Sequence, residues 1–138
     1  CGEVAEVYAV ASTGCMTKVK DFDIHDCSAV SLRMKTGATA SVISTCVANY
    51  SSQLALDVVT PEMWMTFCGR RLTVRENDKT TEYESKVDMY LEENKAFLEA
   101  VRTGKPNKIR CLYGDALKTF LVTNAANESV VSGLPVKL

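Results

Sequence analysis

The stretch MYLEENKAFLEAVRTGKP, residues 89–106, decides the fold. Tyr90, Leu91, Phe97, Leu98 and Val101 recur with a period of about 3.6, so one face is apolar, while Glu92, Glu93, Lys95 and Arg102 fill the other. That pattern predicts a helix. Gly104 stops it, because glycine accepts the left-handed conformation a helix end needs, and Pro106 follows where no helix continues. A second helix carries Ala116, Leu117, Phe120, Leu121, Ala125 and Val131 and ends at Gly133 and Pro135 with the same punctuation. Everything before Met89 reads as strand. Strands followed by helices, rather than strands alternating with them, give an α+β class.

Upstream, residues 28–34 alternate: Val30, Leu32 and Met34 against Ala29, Ser31 and Arg33. Lys35-Thr36-Gly37 is a turn with glycine where positive φ is needed. Residues 38–48 then carry small groups on one face (Ala38, Ala40, Val42, Ser44, Cys46, Ala48) and β-branched groups on the other. The small row lets a helix approach closely. Residues 3–12 are apolar on both sides, which predicts a strand with partners on both sides. Residues 53–60, 63–68 (with Trp64, the only tryptophan), 72–75 and 80–83 complete the strands, and 136–138 returns as a short edge strand. The expectation is a mostly antiparallel open sheet of about six strands with two C-terminal helices on one face, in a single domain over residues 1–138.

Six strands at about 4.8 Å spacing make a sheet roughly 29 Å wide. Two helices side by side cover about 20 Å, enough for one face. Because 3–12, 53–60 and 63–68 are apolar or aromatic on both sides, the other face is expected to be a partner surface.

Composition excludes several classes. With 138 residues, 46% hydrophobic, 24% charged and net charge −1, the chain has the balance of an ordinary globular domain and no general pull toward nucleic acid or anionic membrane. No apolar run approaches the roughly 20 residues that span a bilayer. The cysteines Cys1, Cys15, Cys27, Cys46, Cys68 and Cys111 form no CxxC pair, so no zinc or redox motif is expected. No secretory pattern opens the chain, so reduced, mostly buried thiols in the cytoplasm are expected. The Asn49-Tyr50-Ser51 and Asn127-Glu128-Ser129 triplets match glycosylation acceptors only formally.

Catalytic motifs are missing. GxGxxG, Walker A, HExxH and GxSxG are absent. The lone histidine, His25, lies in Asp23-Ile24-His25-Asp26 before a strand. It reads as a polar loop residue or, functionally, as a substrate contact beside two carboxylates. Asp115 complements the dipole of the second helix, and Asn124 and Asn127 are expected to bond to a neighbouring helix or loop. Arg70-Arg71 and the basic loop of Lys105, Lys108 and Arg110 read as solvated surface. Residue chemistry alone reveals no active site.

The ordered run from Glu93 to Pro106 resembles the "E…FLEAVRTGKP" run of the Gfo/Idh/MocA oxidoreductases, the glucose–fructose oxidoreductase and inositol dehydrogenase relatives. Asp115-Ala116-Leu117-Lys118, Ala125-Ala126-Asn127-Glu128-Ser129 and Ser132-Gly133-Leu134-Pro135-Val136 resemble the same family's closing helix and tail. Asp26 through Arg33, with Thr36-Gly37-Ala38, resembles its "D…A.V.LRF.nGA" hairpin. The resemblance implies a two-domain enzyme: an N-terminal Rossmann domain binding NAD or NADP, and a C-terminal α+β domain building part of the substrate pocket and the oligomer interface. The family's glycine-rich loop, Glu-Lys-Pro motif and DxxxH pair would precede Cys1, and Asp23 with His25 does not match the DxxxH spacing. So this chain is expected to carry no catalytic and no cofactor-binding residue, to bind no cofactor or metal by itself and to be inactive alone. Its expected partners are its own Rossmann domain, a second copy through the open sheet face, and a sugar, polyol or related hydroxylated substrate. Candidate substrate contacts are His25, Asp26 and Tyr50. The rival expectation is a non-enzymatic dimerisation or ligand-binding module.

Overall fold

The computed structural model describes residues 2–15, 20–48 and 54–138. In chain order the elements are β1 (Val4–Ser12), β2 (Cys27–Met34), β3 (Thr39–Thr45), β4 (Ala55–Val59), β5 (Trp64–Cys68), β6 (Arg71–Arg75), β7 (Thr80–Glu84), α1 (Met89–Thr103), α2 (Tyr113–Ser132) and β8 (Val136–Lys137). The α+β class and the antiparallel pairing stand as read. The strands fall into two four-stranded sheets, ordered β3-β2-β1-β8 and β4-β5-β6-β7, rather than one sheet of about six. Local hairpins explain this, since β4 to β7 pair only with chain neighbours while β8 returns to β1.

The chain divides into two compact units, Cys1–Asn49 with Cys111–Leu138, and Tyr50–Arg110. In the first, the β2–β3 hairpin is tied by Met34 N–H to the Ala38 carbonyl at 2.8 Å, and Gly37 turns it at φ 90°. Register puts Val7, Leu32 and Ala40 in one row and Ala9, Val30 and Val42 in the next, on the same face. α2 packs on β1 and β8. Val7, Ala9 and Ala125 are the buried hydrophobic residues among those described. The other face of β1 leaves Tyr8 and Val10 exposed, so only one of its two apolar sides is covered.

Of the apolar positions expected to pack on α2, only Ala125 is buried. Ala125 and Ser129 are buried and Val122, Ala126 and Val130 half-buried, whereas Leu117, Phe120, Leu121 and Val131 are exposed. Small residues win because the helix approaches the β1 backbone closely. Ser129 Oγ accepts from Ala9 N–H at 3.0 Å and donates to the Leu134 carbonyl at 2.8 Å. Glu6 pairs with Lys137 and Val7 with Val136, so the same register continued would set Ala9 opposite Leu134. The hydroxyl therefore completes the β1–β8 ladder where the strand itself has stopped.

The second unit holds β4 to β7 and α1. Its sheet has one apolar face, with Leu56, Val58, Met65, Phe67, Leu72 and Val74, and one polar face, with Asp57, Thr66, Thr73 and Glu82 in a cross-strand row. The expectation that 53–60 and 63–68 carry apolar or aromatic groups on both sides stands, because Val59 and Trp64 share the polar face with that row. Asp88 caps α1, accepting from Leu91 N–H at 3.1 Å, and Gly104 ends it at φ 68°. No residue of α1 is buried, and Tyr90, Phe97, Leu98 and Val101 are all exposed.

Replacing Ser129 with alanine leaves the buried Ala9 N–H unpaired and takes from the Leu134 carbonyl its shorter hydrogen bond. Chemical denaturation is expected to show a loss of about 1–3 kcal/mol, whereas alanine at the exposed Asn127 stays within about 0.5 kcal/mol.

Candidate functional site

His25 and Asp26 lie at the threshold of β2. The His25 side chain is exposed and has no hydrogen-bond partner among the described residues. Asp26 is only 1% exposed. Its backbone is pinned on both sides: its N–H donates to the Ser12 carbonyl at 2.8 Å, and its carbonyl accepts from Cys46 N–H at 2.9 Å. The Cys46 thiol also donates to that carbonyl at 3.4 Å. Carboxylate Oδ2 accepts from Cys15 N–H at 2.6 Å, while Oδ1 is buried without a partner among the described residues. Asp26 thus holds the segment after β1 against the start of β2, and His25 is carried on the outside. Tyr50 falls outside the described residues.

The densest polar cluster lies on β4, β5 and β6, and sequence reading missed it. Asp57 Oδ1 accepts from Trp64 Nε1 at 3.0 Å and from Thr66 Oγ1 at 2.6 Å. A long contact of 3.5 Å runs from Arg75 Nη1 to Thr66 Oγ1. The Thr66 hydroxyl first, and the Trp64 indole next, hold the Asp57 carboxyl below its ordinary value. The available signal was alternation: Asp57, Trp64, Thr66 and Arg75 all fall on one side once the strands pair.

Elsewhere the charges pair on the surface. Lys35 and, less strongly, Lys118 hold Glu3 below its ordinary value, with Lys35 Nζ 2.9 Å away. Lys108 does the same to Glu99 at 2.7 Å. Asn124 bonds to Glu128 within its own helix at 2.8 Å, not to a neighbouring element. Arg70 and Arg71 line a recess of about 420 Å³ with Cys68, Gly69 and Glu84. Cys15, Cys46 and Cys111 are exposed and Cys27 and Cys68 half-buried, so the expectation of mostly buried thiols is corrected. Strand edges and loops, not the face under α2, hold them. Among the described residues no group of three or more histidine, cysteine or acidic side chains could hold a metal. No helix among them is long and apolar enough to cross a membrane.

No protein-family model and no curated protein sequence matches the chain. Solved structures do. An aldose-aldose oxidoreductase from Caulobacter crescentus, complexed with glycerol, superposes with a TM-score of 0.79 at 22% identity, over 99% of this chain and 42% of that one. The chain has the fold of the matching part of this oxidoreductase. A levoglucosan dehydrogenase in complex with NADH and levoglucosan gives 0.75 at 19% identity, over 99% and 45%. An oxidoreductase from Agrobacterium radiobacter in complex with NAD+, L-tartaric acid and magnesium gives 0.70 at 19%, over 98% and 43%. The chain spans less than half the length of these proteins. At these identities the likeness establishes the fold.

Asp26→Ala is expected to lose about 1–3 kcal/mol in denaturant unfolding, because the Cys15 N–H is left unsatisfied. Asp26→Asn, whose amide oxygen still accepts, is milder. His25→Ala leaves stability within about 0.5 kcal/mol.

The depressed carboxyls each add a small pH dependence. Each binds protons less readily folded than unfolded, so its contribution is present above the ordinary carboxylate range and is lost as pH falls through the folded value. Thermal melts across acid pH should therefore show a shallower decline for Glu3→Gln and Asp57→Asn than for the parent chain.

Proposed function

We propose that this chain is the C-terminal α+β domain of a nicotinamide-dependent oxidoreductase acting on a sugar, polyol or related hydroxylated substrate. A Rossmann domain ahead of it binds NAD or NADP and supplies the catalytic residues. This domain forms one wall of the substrate pocket and the subunit interface and is inactive alone. The observation that carries the reading is the superposition over 99% of this chain on 42% of an aldose-aldose oxidoreductase. The compounds bound by the matching proteins are glycerol, levoglucosan and L-tartaric acid. All are small and polyhydroxylated. Nicotinamide cofactors accompany two of these proteins.

Within this reading His25 is a substrate contact, since it is exposed on a short segment fixed by its neighbour. Asp26 is a positioning residue, its carboxylate engaged with the backbone of Cys15. Tyr50 is the third proposed contact. The subunit interface is the apolar face of the β4-β5-β6-β7 sheet, where Leu56, Phe67 and Tyr83 are exposed. Such a face is stable in water once a second copy covers it.

The test is the 138-residue chain beside the product of its complete reading frame. The complete protein should reduce NAD or NADP with at least one aldose or polyol of a panel. The chain alone should give no turnover and leave NADH fluorescence unchanged. Tight NADH binding by the chain alone would overturn the assignment of the cofactor to the other domain. In the complete protein His25→Ala should raise KM by about tenfold, the loss of one good hydrogen bond. Phe67→Glu should shift light scattering toward the monomer.

A further inference from the structure

We propose that Asp57, Trp64 and Arg75 form a saccharide-binding patch on the polar face of the β4-β5-β6-β7 sheet, taking one sugar ring with its C–H face on the indole and two adjacent hydroxyls on the charged groups. The first support is pre-organisation. Trp64 is 49% exposed, yet its Nε1 is committed to Asp57 Oδ1 at 3.0 Å. That bond fixes the ring along the sheet and leaves much of its surface to solvent. The Asp57 carboxylate is fixed in turn by Thr66 at 2.6 Å. A ligand meeting this patch loses little side-chain freedom on the protein's part, which is where an exposed site otherwise forfeits affinity.

The second support is the balance of charge. Both Asp57 hydrogen bonds fall on Oδ1, so Oδ2 has no hydrogen bond among the described residues. Arg75 lies directly across from Trp64 in the ladder, with one long contact from Nη1 to Thr66. Its guanidinium carries five N–H donors. A ligand that is only an anion meets the Asp57 charge, and one that is only a cation meets Arg75. Neighbouring sugar hydroxyls donate to a carboxylate and accept from a guanidinium at once, without net charge. The π-face of the indole is negative and suits the polarised C–H groups on one side of a pyranose ring. Apolar contact and paired donor and acceptor together fit a saccharide better than a salt, a metal or a purely apolar peptide. This binding needs no cofactor and does not rest on the oxidoreductase reading.

Trp64 is the only tryptophan, so its fluorescence reports on the patch directly. The chain is titrated with methyl β-D-glucopyranoside and with cellobiose, and with sodium sulfate and lysine as charged controls. The expected result is a saturable change for the sugars, with dissociation constants in the millimolar range, and none for the controls. Asp57→Asn should weaken sugar binding about tenfold, the equivalent of one charge-assisted hydrogen bond. Trp64→Phe, which keeps an aromatic ring and a folded sheet by circular dichroism, should weaken it less than Trp64→Ala, followed by saturation-transfer NMR. A linear, non-saturating response overturns the proposal, as does binding unchanged in both Trp64→Ala and Asp57→Asn. A patch silent to sugars, with Trp64→Ala changing light scattering instead, is a self-contact and overturns it too.

Discussion

One hydroxyl extends the pairing of β8 with β1 beyond the end of the strand. Ser129 Oγ sits between the Ala9 N–H and the Leu134 carbonyl, where β8 would have to continue for the two to meet directly. Pro135 lies just before β8 and has no N–H to offer a ladder. A strand edge in that position would otherwise bury an unpaired donor under a helix, at a free-energy cost comparable to a lost hydrogen bond. The serine resolves this from the helix side. It can do so only because the residues around it are small.

Close approach then dictates what α2 buries. Ala125 and Ser129 lie one helical turn apart on the buried side of α2, and Ser129 bonds to Ala9 on the strand. A buried alanine at 125 lets the backbones come near enough for a short side chain to reach a strand amide; leucine there would hold them apart. The consequence appears on the rest of the helix. Leu121 and Leu117 continue the Ala125–Ser129 row one and two turns toward the helix N-terminus, and with Phe120 they remain exposed. A helix whose large apolar side chains its own sheet leaves exposed is built for a further packing surface. α1 carries the same signature in stronger form, with its whole apolar stripe exposed.

This also marks where sequence was legible. Punctuation carried through: Gly104 and Gly133 end their helices at positive φ, and Gly37 turns the β2–β3 hairpin, because these positions demand a backbone that other residues adopt reluctantly. Alternation found each strand, since period two is a local property. Sheet membership was not legible, because nothing local distinguishes one wide sheet from two narrower ones. Of what α2 buries, Ser129 was missed for a related reason: hydrophobic periodicity ranks side chains by apolarity, whereas this contact is set by smallness and by one serine. His25 and Asp26 were found as a pair, but burial separates them, and burial is decided by Ser12, Cys15 and Cys46, all distant in sequence from Asp26. The Asp57 cluster needs register before it exists at all.

The three depressed carboxyls on this chain reach that state by different chemistry, and the difference bears on what each can do. Glu3 and Glu99 are neutralised by lysines, so their charge is already answered. Exposed pairs of this kind contribute little and are screened by salt. Asp57 is held chiefly by neutral donors, a hydroxyl and an indole N–H, with Arg75 a minor influence. It keeps a full negative charge with an unspent oxygen at the surface. Stability alone gains little from such an arrangement, since an exposed carboxylate is already well solvated by water. A carboxylate oriented by two neutral bonds beside an open aromatic face acts instead on whatever next presents a hydroxyl to it. Rigid acceptor and rigid ring are jointly complementary to a polyhydroxylated ring, and to few other small molecules that carry no charge.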